Sequence, residues 1–99
     1  MLQKFNTEIA IDIGIDASVV YQIIQDECEH NQRVDEYKRE GYYWFRASLV
    51  ELTRIIPYMS NHRIRTAIKT LEEKGYIISR NYNESPYDST KWYTNLKKN

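Results

Sequence analysis

A mainly helical α+β fold with a small antiparallel sheet is predicted by two changes of residue pattern and one short spacer. Apolar residues recur at helical spacing from Ile9 to Cys28 and again from Ile64 to Leu71. Residues 42–46, 76–80 and 91–96 are instead short runs rich in aromatic and β-branched side chains, which favour strands. The texture switches at Gly41 and again at Gly75. Two of the helices are separated only by Pro57, Tyr58 and Met59, which leaves room for nothing but a tight turn.

The chain has 99 residues, enough for one compact core but not for two domains with a cleft between them, so residues 1–99 are expected to form one domain. With 41% apolar and 28% charged residues it sits among ordinary globular proteins and away from disordered ones. No apolar run approaches the length that crosses a bilayer, and the opening from Met1 to Asn6 lacks the pattern of a secretion signal. A cytoplasmic location with no membrane association is expected. Cys28 stands alone, which excludes an internal disulfide and a cysteine-based zinc site.

Taken in order, Asn6 or Thr7 can cap a helix over 7–13 whose Ile9, Ala10 and Ile13 share a face, with Gly14 as its stop. Asp16 is the expected cap of a longer helix over 16–30, in which Ala17, Val20, Ile23, Ile24 and Cys28 form the buried stripe. From His30 to Glu40 the sequence is polar and without period, which suggests a frayed end and a loop before a strand at 42–46. Ser48 and Glu51 have the spacing of a capping box for a helix over 48–55, and Pro57 disfavours helical backbone at Ile56. Ser60 caps a helix over 60–74 with Ile64, Ala67, Ile68 and Leu71 inward, Lys74 at its C-terminal dipole and Gly75 as terminator. Strands over 76–80 and 91–96 then pair across the polar loop Asn81–Thr90, and Lys97–Asn99 is a frayed tail.

Helix, helix, strand, helix, tight turn, helix, strand, long loop, strand is the winged helix-turn-helix order, with the helix-turn-helix at 48–74 and the wing hairpin at 76–96. Several segments carry a more specific likeness. Ser48-Leu49-Val50-Glu51-Leu52, Ser60-Asn61-His62-Arg63-Ile64-Arg65, Leu71-Glu72-Glu73-Lys74-Gly75-Tyr76-Ile77 and Tyr87-Asp88-Ser89-Thr90-Lys91-Trp92-Tyr93 resemble the N-terminal winged-helix domain of phage and plasmid replication initiators, the replisome-organiser-like proteins. Ile9-Ala10, Gly14 and Ala17 fit the same pattern. The resemblance implies recognition of origin or promoter DNA, in replication initiation or transcription control, within a bacterial host cell.

Net charge is zero, yet its distribution is uneven. Residues 1–59 hold six Lys/Arg against ten Asp/Glu, and residues 60–99 hold eight against four. One phosphate-facing side and one partner-facing side would produce such a split. On the helix from Asn61, residues His62, Arg65, Thr66 and Lys69 lie away from the apolar stripe, with Arg63 and Thr70 at its edge, and Arg80 and Lys91 are expected beside them on the hairpin. Arg and Asn read guanine and adenine edges, whereas Lys and Thr suit phosphates, so Asn61, His62, Arg63, Arg65, Thr66, Lys69, Thr70, Arg80 and Lys91 form the candidate double-stranded DNA site. The plain alternative is the solvated face of an amphipathic helix. A second copy is an expected partner, because one recognition helix reads few base pairs. The other function class is a protein-interaction module on the same fold, a replication-complex subunit, antirepressor or phage-encoded inhibitor. Neutral charge and a loop at 81–90 with Glu84 and Asp88 but no Lys or Arg favour that class.

Other motifs carry less chemistry. Trp44, Trp92, Tyr42 and Tyr93 could be a base-stacking platform, but a domain of this size needs their area in its core. Tyr82 and Tyr87 in the polar loop either pack back on the sheet or meet a partner. The ligand-like side chains of Asp26 to His30 fan around a helix instead of converging. His30 and His62 in charged surroundings offer no catalytic triad or metal centre, and three scattered glycines cradle no phosphate. Asn83-Glu84-Ser85 matches a glycosylation sequon only by coincidence. No enzymatic activity and no cofactor are expected.

Overall fold

Local capping sets most helix boundaries in the computed structural model, which describes residues 5–96; Met1–Lys4 of the opening segment and the expected tail Lys97–Asn99 lie outside the described residues. The Asn6 side chain accepts a hydrogen bond from the Ile9 amide at 3.0 Å and starts α1, Thr7–Ile13. Gly14, at φ +101°, ends α1 and begins α2, Ile15–Val34. Glycine adopts that backbone without steric penalty. The N-cap of α2 is therefore Gly14 and not Asp16, whose carboxylate is engaged by Arg63 instead.

The segment expected as a loop over 30–40 is ordered differently. α2 continues to Val34, and strands β1, Lys38–Arg39, and β2, Tyr42–Tyr43, then form an antiparallel hairpin. Tertiary bonds are the reason. The buried Asn31 amide donates to the Trp44 carbonyl at 2.6 Å, which holds the last turn of α2. Asp35 ends the helix in a left-handed conformation and accepts a bond from the Tyr43 hydroxyl. The strand expected at 42–46 is thereby split at Trp44, and its second half, β3, Phe45–Ala47, joins another sheet.

α3, Leu49–Ile55, begins with the full Ser48/Glu51 capping box, and Ile56 leaves helical geometry ahead of Pro57. Ser60 accepts from the Arg63 amide at 3.2 Å and opens α4, Asn61–Glu73. Gly75, at φ +78°, closes α4: its amide bonds the Glu72 carbonyl while the Tyr76 amide bonds that of Leu71, the paired pattern that satisfies a helix end. Because this terminator occupies residues through Tyr76, β4 begins only at Ile78 and is Ile78–Arg80 and not 76–80, and its partner β5 is Lys91–Thr94.

The three-stranded antiparallel sheet has the order β3-β5-β4, so the last strand lies in the middle. Phe45 pairs with Tyr93 and Ser79 with Tyr93, while Arg46 and Arg80 both pair with Trp92. Paired residues share a face and neighbours alternate. Phe45, Ala47 and Tyr93 thus turn to the helices, where they join Val20, Ile24, Leu52, Ile56, Ile64 and Leu71 in the main core. Trp92 faces the other way. There Tyr82 is wedged edge-on between Trp44 and Trp92, with ring centroids 5.2 and 5.4 Å away, and Tyr37 abuts Trp92 at 5.5 Å. The β1–β2 hairpin supplies Tyr37 and the loop 81–90 supplies Tyr82, so both segments cover the sheet's outer face. The result is an α+β chain, about half helical, with a small antiparallel sheet. No helix among the described residues is long and apolar enough to cross a membrane.

Five tyrosines are held protonated beyond their ordinary value. Burial pushes Tyr93 up to about 12, and burial followed by the Glu40 carboxylate does the same for Tyr82. Burial also raises Tyr21, whereas bonds to Asp35 and Asp12 raise Tyr43 and Tyr76. Above the ordinary tyrosine value of 10.0 the unfolded chain releases protons that the folded chain keeps. Stability from these groups is accordingly complete below that pH and is lost as pH rises toward 12. An ultraviolet phenolate titration run beside circular dichroism should show Tyr82 and Tyr93 ionising only with alkaline unfolding. Full phenolate formation in the still-folded chain near its ordinary value would contradict the packing.

Candidate nucleic-acid interface

The core orients α4. With Ile64, Ala67, Ile68 and Leu71 buried, its outer ridge consists of Asn61, His62, Arg65, Thr66 and Lys69, all exposed. A groove runs along each flank of this ridge, and the two differ in chemistry.

On one flank a cleft of about 490 Å³ lies between α4, the start of α3 and the entry to β5. Arg65, Lys69 and Lys91 line it with a single acid, Glu72, over a floor that includes Leu49, Ile68 and Tyr93. Lys91 reaches it because it pairs with Ala47 and therefore stands on the helix-facing side of the sheet. Among the described residues neither the Arg65 nor the Lys91 side chain has a hydrogen-bond or ion-pair partner. Lys69 has only Glu73, at 4.0 Å between largely exposed side chains, a weak attraction in water. Three cations from two distant segments thus meet with little neutralisation.

On the other flank His62, Arg63, Thr66 and Thr70 face the α1–α2 junction across a groove of about 500 Å³. Here Arg63 is committed: its Nε and Nη2 donate to the two carboxylate oxygens of Asp16 at 2.9 and 2.6 Å. The guanidinium holds the Asp16 carboxyl below the usual carboxylate range. Thr70 donates its hydroxyl to the Thr66 carbonyl at 2.9 Å, one turn back along the helix.

Arg80 is not brought together with Lys91. It shares a face with Trp92, on the side of the sheet away from α4, and donates to its neighbour's carbonyl, that of Ser79, at 2.8 Å. The nine candidate residues therefore divide into the ridge and cleft (Asn61, His62, Arg65, Thr66, Lys69, Lys91), the opposite flank (Arg63, Thr70), and the far face of the sheet (Arg80).

The loop 81–90 is tied down by side-chain bonds that its sequence does not reveal. Asn83 accepts from the Trp92 indole at 2.8 Å and from Arg46 at 3.3 Å, and donates to the carbonyls of Asp88 and Thr90. Arg46 also pairs with Asp88 at 2.6 Å. The Asn83 amide is thus engaged at both its oxygen and its nitrogen, which leaves the sequon without a free acceptor. Bonds from Thr90, joined by the Arg46 charge, hold the Asp88 carboxyl low. The two loop tyrosines separate: Tyr82 packs on the sheet, whereas Tyr87 at the turn is 94% exposed. Ser48, Glu72 and Ser89 also line the cleft and were missed. Ser48 could have been suspected from its place beside the strand that precedes α3, but nothing local marks Ser89.

Trp44, Trp92 and Tyr93 are buried, so they serve as core and not as a stacking surface. Cys28 is buried as well, its thiol 3.6 Å from the Tyr93 carbonyl and pushed up to about 11 by burial. Such a thiol is a poor nucleophile at neutral pH. Among the described residues no three His, Cys, Asp or Glu side chains group to hold a metal ion. Comparison of the chain with protein-family models, with curated proteins and with solved structures returns no match.

Proposed function

We propose that the chain is a winged-helix module that binds double-stranded DNA, with the ridge of α4 in the major groove and the cleft between α4 and β5 on the adjacent phosphates. The observation that carries this reading is the meeting of Arg65, Lys69 and Lys91 in one cleft beside a single acid, Glu72, in a chain with no net charge. Helix, tight turn, helix and hairpin, with the last strand central in the sheet, is the order a winged helix requires. Lys69 and Lys91 would neutralise phosphates, while Arg65, with Asn61 and His62 nearer the helix start, would meet base edges. Site recognition would use two copies, since one helix reads few base pairs. The sequence resemblance suggests replication initiation or transcription control in a phage or plasmid setting, within the bacterial cytoplasm.

The test is a salt titration of the chain on random duplex DNA and on duplexes enriched from a randomised pool. The expected result is retention at low salt that fades as salt rises. Arg65→Ala should cost about 1–3 kcal/mol on the enriched site and less on random DNA. A protein-interaction module is the second reading. It is favoured by Ile11 and Ile15 on the surface, 87% and 62% exposed, and by Glu84 in the loop. No retention on any duplex at low salt would put that reading in place of the first.

A further inference from the structure

We propose that Arg63 governs DNA affinity without touching DNA: with Asp16 it forms a clamp that fixes the first half of α4 against the start of α2. Both are positioning residues. This inference rests on the DNA-binding reading of α4, although the clamp itself can be measured in the free protein.

The geometry is that of a fork. Two nitrogens of Arg63 meet the two oxygens of Asp16, and the third, Nη1, lies 3.4 Å from the Tyr58 carbonyl in the turn before α4. One planar guanidinium therefore joins α2, the turn and α4, and its donors are directed at the protein. A phosphate could take Arg63 only by displacing a carboxylate already held in two-pronged geometry. The position agrees: Arg63 lies on the flank with Thr70, whereas the free cations Arg65 and Lys91 line the cleft on the other flank. Because Asp16 cancels its charge, Arg63 adds nothing to the field that attracts phosphate. What it adds is the placement of α4, and with it the spacing of Arg65 and Lys69 from Lys91.

Asp16 provides a test of opposite signs. Removing an acid beside a DNA-binding helix ordinarily raises affinity by relieving repulsion, whereas removing half of a clamp lowers it. In the full chain, Asp16→Asn and Arg63→Ala should each weaken binding to random duplex about two- to fivefold, the range of an exposed but well-oriented ion pair. The double variant should be no weaker than either single one. All three should keep the parent's salt slope, and Arg63→Lys, which lacks the fork, should recover at most part of the loss. Without DNA, amide exchange over Ile64 to Lys69 should quicken equally in the two single variants and no further in the double. Tighter binding by Asp16→Asn, together with a slope shallower by about one unit in Arg63→Ala, would overturn the proposal and make Arg63 a phosphate ligand. A parent chain that ignores duplex DNA would sink the DNA-binding reading alone. The clamp would then stand or fall on amide exchange, and unchanged exchange in both variants would end it.

Discussion

Replacing Arg65, Lys69 and Lys91 together with alanine is expected to flatten the dependence of log affinity on log salt by close to two units, about 0.9 for each of the phosphates that Lys69 and Lys91 no longer neutralise. Each bound phosphate releases condensed counterions, so affinity falls with salt in proportion to the number of phosphates bound. These three side chains line one cleft beside Glu72, and among the described residues Lys69 alone of the three has an ion-pair partner, Glu73 at 4.0 Å. The free protein should hardly register the change, because exposed charges with weak partners contribute little to stability. The measurement is a salt titration on random duplex beside thermal melts. A triple variant that melts normally and keeps the parent's slope would show that this cleft meets no phosphate. Arg80→Ala is the internal control, since Arg80 stands on the far side of the sheet and its removal should leave the slope as it was.

Trp44→Ala should have the largest effect on the fold, about 3–5 kcal/mol, the usual loss when a buried aromatic is truncated. Total stability of a small domain is only about 5–15 kcal/mol, so much of it would go. Trp44 is 1% exposed, touches Tyr82 and Tyr42 with its ring, and donates its indole N–H to the Arg39 carbonyl at 2.9 Å. Truncation opens a cavity where the β1–β2 hairpin, the sheet and the loop 81–90 meet. Trp44→Phe keeps a ring but loses the indole bond, and should lose less. Urea unfolding of both variants provides the comparison. Parent-like stability in Trp44→Ala with loss of nucleic-acid binding would return Trp44 to the role of a stacking surface.

The helices were legible where the determinants are local. Asn6, Ser48 with Glu51, and Ser60 each satisfy amides three residues ahead, and Gly75 takes a backbone that most residues avoid. Such rules act within one turn, and the apolar stripe at Ile64, Ala67, Ile68 and Leu71 needs only the helical period. Where the reading went astray, a distant partner had intervened. Asp16 has the chemistry of a cap, but Arg63, far along the chain, takes its carboxylate. The polar stretch after His30 has no period of its own, yet Asn31 reaches the Trp44 carbonyl and Asp35 the Tyr43 hydroxyl, and these bonds lengthen α2 and fold a hairpin behind it.

The sequence by itself determined the fold class, the place of the short turn between α3 and α4, and which face of α4 is apolar, because capping, turn chemistry and periodicity are properties of neighbouring residues. Tertiary structure alone decided which cations lie together. Lys91 joins Arg65 and Lys69 because strand pairing places it on the helix side of the sheet, and the same pairing sends Arg80 to the opposite side. Arg63 and Arg65, two residues apart, are equal in composition and charge. They differ because the helix turns roughly 100° per residue, which carries one toward Asp16 and leaves the other in the open cleft.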